Sequence, residues 1–135
     1  MRMSKPRYRK NAGCVYTLHY HVVWCPKYRR PVLTEPVAES LKALLYEKAT
    51  ELDVMIEGLE VMPDHVHLFV SAAPTDAPQH LVNQFKGYTS RRLRQQFPAL
   101  RSRLPSLWSR SYYIGSAGHV SAETIQRYIA MQKRS

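Results

Sequence analysis

The chain has 135 residues, 44% of them hydrophobic, enough for one cored domain and too few for two. Twenty Lys and Arg against ten Asp and Glu give a formal charge of +10, so part of the folded surface carries a positive field and a polyanion is the natural partner. No apolar run reaches the roughly 18 residues that a bilayer span requires, and Met1 to Asn11 is too polar for a signal peptide, so a soluble protein with no membrane partner is expected.

The charge is segregated. Residues 1–30 hold eight basic residues and no acid, 86–110 hold seven more and again no acid, and eight of the ten acids lie between Glu35 and Asp64. With nine Tyr, two Trp and three Phe in the chain, the basic stretches have aromatic company suited to stacking on unpaired bases, which favours nucleic-acid binding over a merely solvated basic face. Cys14 and Cys25 would stand at opposite ends of one extended strand, too far apart for a disulfide, and two separated thiols point to a reducing cytoplasm.

Residues 1–13 read as a basic flexible arm and 14–135 as a single domain. Cys14 to Trp24, rich in β-branched and aromatic residues, predicts a first strand. From Glu35 to Leu52, Val37, Leu41, Leu44, Leu45, Ala49 and Leu52 recur at helical spacing, with Thr34 as N-cap and Pro36 in the first turn. Val54 to Met62 and His65 to Ala72 predict a hairpin about Pro63-Asp64, placed at the sheet centre. Asp76 is expected to cap a second helix that starts near Pro78, buries Leu81, Val82, Phe85, Tyr88 or Thr89, and Leu93, and ends before Pro98.

After a loop containing Pro98 and Pro105, Leu107 to Ser116 predicts another strand, broken by Gly118. Ser121 then caps a last helix in which Ile125, Tyr128, Ile129 and Gln132 share a side. This order predicts an α+β, ferredoxin-like fold: two helices cover one face of an antiparallel sheet, and a C-terminal helix carrying the tyrosine follows.

Two features can carry chemistry. In Met62-Pro63-Asp64-His65-Val66-His67-Leu68, strand alternation sends His65 and His67 to one face while Val66, Leu68 and Val70 enter the core opposite. Two imidazoles on one face are half a metal site, or else a hydrogen-bonded structural pair. On the last helix Tyr128 and Gln132 lie one turn apart, and Tyr128 among its apolar neighbours, taken alone, reads as ordinary core. A phenol with a pKa of about 10 needs help to attack, and a divalent ion that orients and polarises a phosphodiester supplies it. Candidate nucleic-acid contacts are Lys86, Arg91, Arg92 and Arg94 on the second helix and Arg7, Arg9 and Lys10 in the arm, with Tyr88 and Tyr112 for base stacking.

Five blocks carry a resemblance: His-Val-Val-Trp-Cys-Pro-Lys-Tyr-Arg-Arg at 21–30, Glu-Val-Met-Pro-Asp-His-Val-His-Leu at 60–68, Phe-Lys-Gly-Tyr-Thr-Ser-Arg-Arg-Leu at 85–93, Leu-Trp at 107–108 with Ser-Tyr-Tyr at 111–113, and Tyr-Ile-Ala-Met-Gln at 128–132. Together, and in this order, they resemble the single-tyrosine HUH transposases of the insertion-sequence 200/605 group. The resemblance implies His65 and His67 as metal ligands, Val66 as the hydrophobic residue between them, Tyr128 as the nucleophile that forms a 5′-phosphotyrosine, and Gln132 completing the metal shell. It implies Mg²⁺ as the ion, with Mn²⁺ able to substitute because two ligands are nitrogens, and zinc disfavoured for want of a thiolate set.

It also implies an RRM-related core and recognition of hairpins in single-stranded DNA at transposon ends. The homodimer it implies is one whose active sites can be shared, the tyrosine helix of one subunit meeting the histidines of the other. Ala130 departs from the acidic residue expected in many relatives. A domesticated nuclease acting on chromosomal repeat hairpins would share this chemistry. A single-strand RNA-binding module would leave the histidine pair and Tyr128 without a role.

Overall fold

The computed structural model describes residues 18–116 and 122–132 together with the backbone of 9–11 and 14–16. Arg9–Asn11 (β1) and Cys14–Tyr16 (β2) form a small antiparallel pair, so the backbone of one part of the basic arm takes up regular structure. The strand expected over 14–24 is therefore two: its second part, Leu18–Trp24 (β3), joins the main sheet with Met55–Met62 (β4), His65–Ala72 (β5) and Tyr113–Ser116 (β6). The order is β4-β5-β3-β6 and every pairing is antiparallel.

This is the ferredoxin-like arrangement. Helix Val37–Leu52 (α1) carries the chain from β3 across to β4, leaving between them a gap that β5 fills. The hairpin β4–β5 forms as expected, but its two strands differ in place: β5 is central and β4 is an edge.

α1 and Pro78–Gln96 (α2) cover one sheet face. The stripe Leu41, Leu44, Leu45 and Ala49 of α1 and Leu81, Val82, Phe85 and Leu93 of α2 are buried in one core with Val22, Trp24, Val66, Leu68 and Val70 from the sheet. Truncating any of these leucines to Ala should cost about 2–5 kcal/mol. Thr89 rather than Tyr88 is the inward residue of its turn. It is fully buried, donates to the Phe85 carbonyl at 2.7 Å and accepts from Trp108 Nε1 at 3.1 Å, which satisfies both hydroxyl roles.

Several expected details are corrected. α1 begins at Val37 with Pro36 preceding it, and Thr34 contributes its backbone carbonyl, accepting from Ala38 N at 2.9 Å, rather than a side-chain cap. Asp76 reaches back to accept from Ala73 N at 3.0 Å instead of capping α2. The segment after Pro98 is a short helix, Pro98–Arg103 (α3), because Pro at a first helical position is favourable. Only Tyr113–Ser116 of the predicted 107–116 strand is regular, although Trp108 makes an isolated bridge with Pro26. The last helix spans Ala122–Met131 (α4). Gly118 and Ser121 lie outside the described residues. Among the described residues no helix is long and apolar enough to cross a membrane.

Candidate active site

The alternation along β5 is as the sequence demands: Val66 and Leu68 are fully buried against the helices, while His65 and His67 project from the other face with ring centroids 4.9 Å apart. Each imidazole has its Nδ1 engaged. His65 Nδ1 lies 2.7 Å from Asp64 Oδ1, and His67 Nδ1 lies 3.0 Å from His21 Nε2. If both Nδ1 atoms carry protons and donate, both Nε2 atoms are left as acceptors or ligands, the usual way in which an outer partner fixes the tautomer of a metal-binding histidine. Burial, and then the neighbouring His65, hold His67 below the ordinary imidazole range, so it is neutral at pH 7 as a ligand must be.

His21 arrives by register. Val23 pairs with His67 and His21 with Phe69, so His21 shares the histidine face and sits diagonal to His67. It stacks on the Phe69 ring at 4.1 Å. Phe69 in turn closes over Gly58 at an irregularity of β4, where a Cβ would stand 3.2 Å from Phe69 Cδ2. Should the histidine pair hold Mn²⁺, His21→Ala is expected to weaken that binding about 10–100-fold by freeing His67 to rotate, read by titration calorimetry, with the fold retained.

A cavity of about 450 Å³ opens over the imidazoles, lined by Arg29, His65, His67, Ile125, Gln126 and Ile129. Helix α4 is thus its far wall, as the two-layer plan with a free sheet face allows. Arg29 enters from a 3-10 turn at Lys27–Arg29, in which Tyr28 and Arg29 both have left-handed backbone, φ 59° and 52°. Such conformations cost about 1–2 kcal/mol per residue and persist where the surroundings impose them.

Tyr128 and Gln132 do not line this cavity. Tyr128 Oη lies 3.3 Å from Ser111 Oγ, and burial pushes the phenol up to about 12. Gln132 Oε1 accepts from Ser111 Oγ at 2.8 Å and Ser109 Oγ at 3.3 Å, and its Nε2 donates to the Tyr128 carbonyl at 3.1 Å. The two residues therefore share one polar pocket on the β6 side. Among the described residues no group of three or more His, Cys, Asp or Glu is placed to hold a metal ion. The donor set present is two imidazoles, which would suit a borderline divalent ion and leave the remaining positions to oxygens.

The basic residues of α2 divide. Arg91 and Arg92 stay on the outer surface, each with its guanidinium 5.6 Å from the Tyr88 ring, and Tyr88 donates to Glu47. Lys86 is turned inward: it donates to the Ser109 and Ser111 carbonyls at 2.7 and 3.1 Å, lies over the Tyr112 ring, and is lowered to about 8 by burial. Arg94 donates to the carbonyls of Arg101, Leu104 and Pro105 at 3.4–3.5 Å. Lys86 and Arg94 thus brace the segment from Arg101 to Ser111. Arg7 and the side chains of Arg9 and Lys10 lie outside the described residues, as does that of Cys14. Cys25 is a buried free thiol.

The family model described as "Transposase IS200 like" matches residues 14–132. The chain belongs to the IS200-like transposase family. It is 40% identical over 126 residues to the ISDra2 transposase TnpA of Deinococcus radiodurans, covering 92% of this chain and 90% of that protein. It is 30% identical over 115 residues to the transposase for insertion sequence element IS200 of Salmonella typhimurium, covering 84% and 75%.

A crystal structure of a transposase from Deinococcus radiodurans R1 superposes with a TM-score of 0.86 at 37% identity, covering 94% of this chain and 99% of that one. The structure of a REP-associated tyrosine transposase bound to a REP hairpin shares the fold, with a TM-score of 0.56 at 12% identity over 96% of this chain and 68% of that one. In this transposase, sequence reasoning singled out His65 and His67 but gave no role to Asp64, His21, Arg29, Ser109 or Ser111. Asp64 and His21 were within reach of strand parity and adjacency, whereas the other three depend on loop paths.

Proposed function

We propose that this transposase cuts and rejoins single-stranded DNA through a covalent bond to Tyr128, acting on hairpins at the ends of its mobile element. The observation that carries this reading is the pairing of two oriented imidazoles, with Nε2 left for a ligand, and a cavity whose opposite wall is the helix bearing Tyr128. Tyr128 Oη attacks phosphorus, the bond from phosphorus to the 3′-oxygen breaks, and that oxygen leaves as a 3′-hydroxyl while the phenol proton is given up. The 5′-phosphotyrosine retains the energy of the phosphodiester, so a second 3′-hydroxyl can displace Tyr128 and reseal the strand.

His65 and His67 would hold the ion, with Gln132 as third ligand once α4 shifts. Mg²⁺, or Mn²⁺ in its place, supplies electrophilic polarisation of a phosphate oxygen when bound. His21 and Asp64 keep the two rings aimed. Because Tyr128 and Gln132 rest against Ser111, assembly needs either a movement of α4 or the α4 of a second copy in a homodimer with shared sites. The +10 charge supports a DNA partner, with Arg91 and Arg92 on the helix layer as backbone contacts.

The experiment is incubation with single-stranded DNA from the flanks of the coding sequence and Mg²⁺, followed by a denaturing gel. A protein-linked strand is expected, and its absence in the presence of both Mg²⁺ and Mn²⁺ would sink the proposal.

A further inference from the structure

Arg29 occupies a place that neither the histidine pair nor the tyrosine explains. Its turn is pinned by Lys27 N to the Leu107 carbonyl at 2.8 Å and by Arg29 N to the Pro26 carbonyl at 2.8 Å, and the adjoining Cys25 carbonyl accepts from Ser109 N at 3.0 Å. The consecutive left-handed residues Tyr28 and Arg29 aim the guanidinium into the cavity beside His65 and His67. There it bridges two things that must cooperate. Nε lies 3.1 Å from Asp64 Oδ2, the carboxylate whose other oxygen holds His65, and Nη1 donates at 3.2 Å to the carbonyl of Ile129, the residue after Tyr128.

Neither partner uses the guanidinium well. The Nε contact to Asp64 is close enough for charge attraction but misaligned, and Nε makes no hydrogen bond among the described residues. The Ile129 carbonyl is a neutral acceptor. A phosphodiester oxygen is anionic and matches the planar fork, so it is the stronger partner for this cation. A phosphate oxygen entering the cavity would compete with the Ile129 carbonyl for the guanidinium.

We infer that Arg29 binds the scissile phosphate of single-stranded DNA and, in doing so, releases the Ile129 carbonyl and with it the helix that carries Tyr128. The inference rests on the transposase reading of the site given above. It makes Arg29 a substrate-binding residue whose resting contact holds α4 in the position where Tyr128 is buried, so that arrival of the phosphate and freedom of the nucleophile become one event. A purely structural arginine would tether α4 and nothing more.

The test combines hydrogen exchange of the α4 amides with the adduct gel, on wild type, Arg29→Ala and Arg29→Lys. Exchange is read in EDTA, so that no cleavage occurs, with and without a single-stranded oligonucleotide from the flanks of the coding sequence. In the wild type the oligonucleotide should raise α4 exchange. In Arg29→Ala, exchange should be raised already without DNA and change no further, while adduct formation with Mg²⁺ falls about 100-fold. Arg29→Lys keeps the charge but lacks the fork, and should lose less adduct than Ala while leaving α4 loosened.

Near-wild-type thermal melting of either variant separates these effects from misfolding. Adduct formation by Arg29→Ala within about threefold of wild type would overturn the phosphate role, and wild-type α4 exchange indifferent to the oligonucleotide would overturn the coupling. A wild type that forms no adduct would instead indict the transposase reading of the site, which distinguishes the two failures.

Discussion

Tyr128→Phe is expected to abolish the protein-linked strand on a denaturing gel while leaving hairpin binding at its wild-type level. The substitution removes one oxygen, whose neighbour is Ser111 Oγ at 3.3 Å, so little folding energy is at stake. The chemical loss is complete, because no other hydroxyl occupies its place on α4.

The resting environment of the phenol also bears on the proposed attack. Raised to about 12 by burial, it is almost wholly protonated at neutral pH and a poor nucleophile where it sits. Under the proposed mechanism, movement out of that pocket would lift the desolvation and return the phenol towards its ordinary value of about 10. A surviving adduct in Tyr128→Phe would place the nucleophile elsewhere and end this account.

The second large effect belongs to the imidazoles. His65→Ala and His67→Ala should each bring Mg²⁺-dependent adduct formation to background, and the double variant should be no worse than either single one, because the ion needs both nitrogens. DNA retention in EDTA should barely change, since it comes from Lys and Arg neutralising phosphates and should weaken with added salt in the same way for variant and wild type. Filter binding over a salt series, beside the gel, separates the two properties. Parallel loss of binding and cleavage would mean that the histidines hold the fold rather than an ion.

Legibility followed period. The stripe of α1 and the alternation of β5 are repeated signals, and the structure buries Leu41, Leu44, Leu45, Val66 and Leu68 as those signals require. The order of elements sufficed for the ferredoxin-like topology, because few antiparallel arrangements accommodate the split βαβ connection. Contacts made by long flexible side chains were not legible. Lys86 and Arg94 lie on a helix whose charge pattern looks solvated, yet each reaches carbonyls of a loop whose path no local pattern encodes.

The resting place of Gln132 was hidden for the same reason. Its partners, Ser109 and Ser111, lie on the irregular stretch between Trp108 and β6, where hydrogen bonding follows tertiary position rather than spacing. α3 went unseen because a Pro98 read as a breaker also serves as a helix start.

The interleaving of chemistry and core along β5 bears on how such an enzyme can change. Odd positions from 65 to 69 lie on the sheet face of the candidate site and even positions face the helices, so gaining or losing a single residue would turn both sets around at once and forfeit the core and the histidine pair together. Point exchanges at 65 and 67 carry no such penalty. New ligand chemistry can therefore be grafted onto this strand one side chain at a time, while its length has to stay fixed.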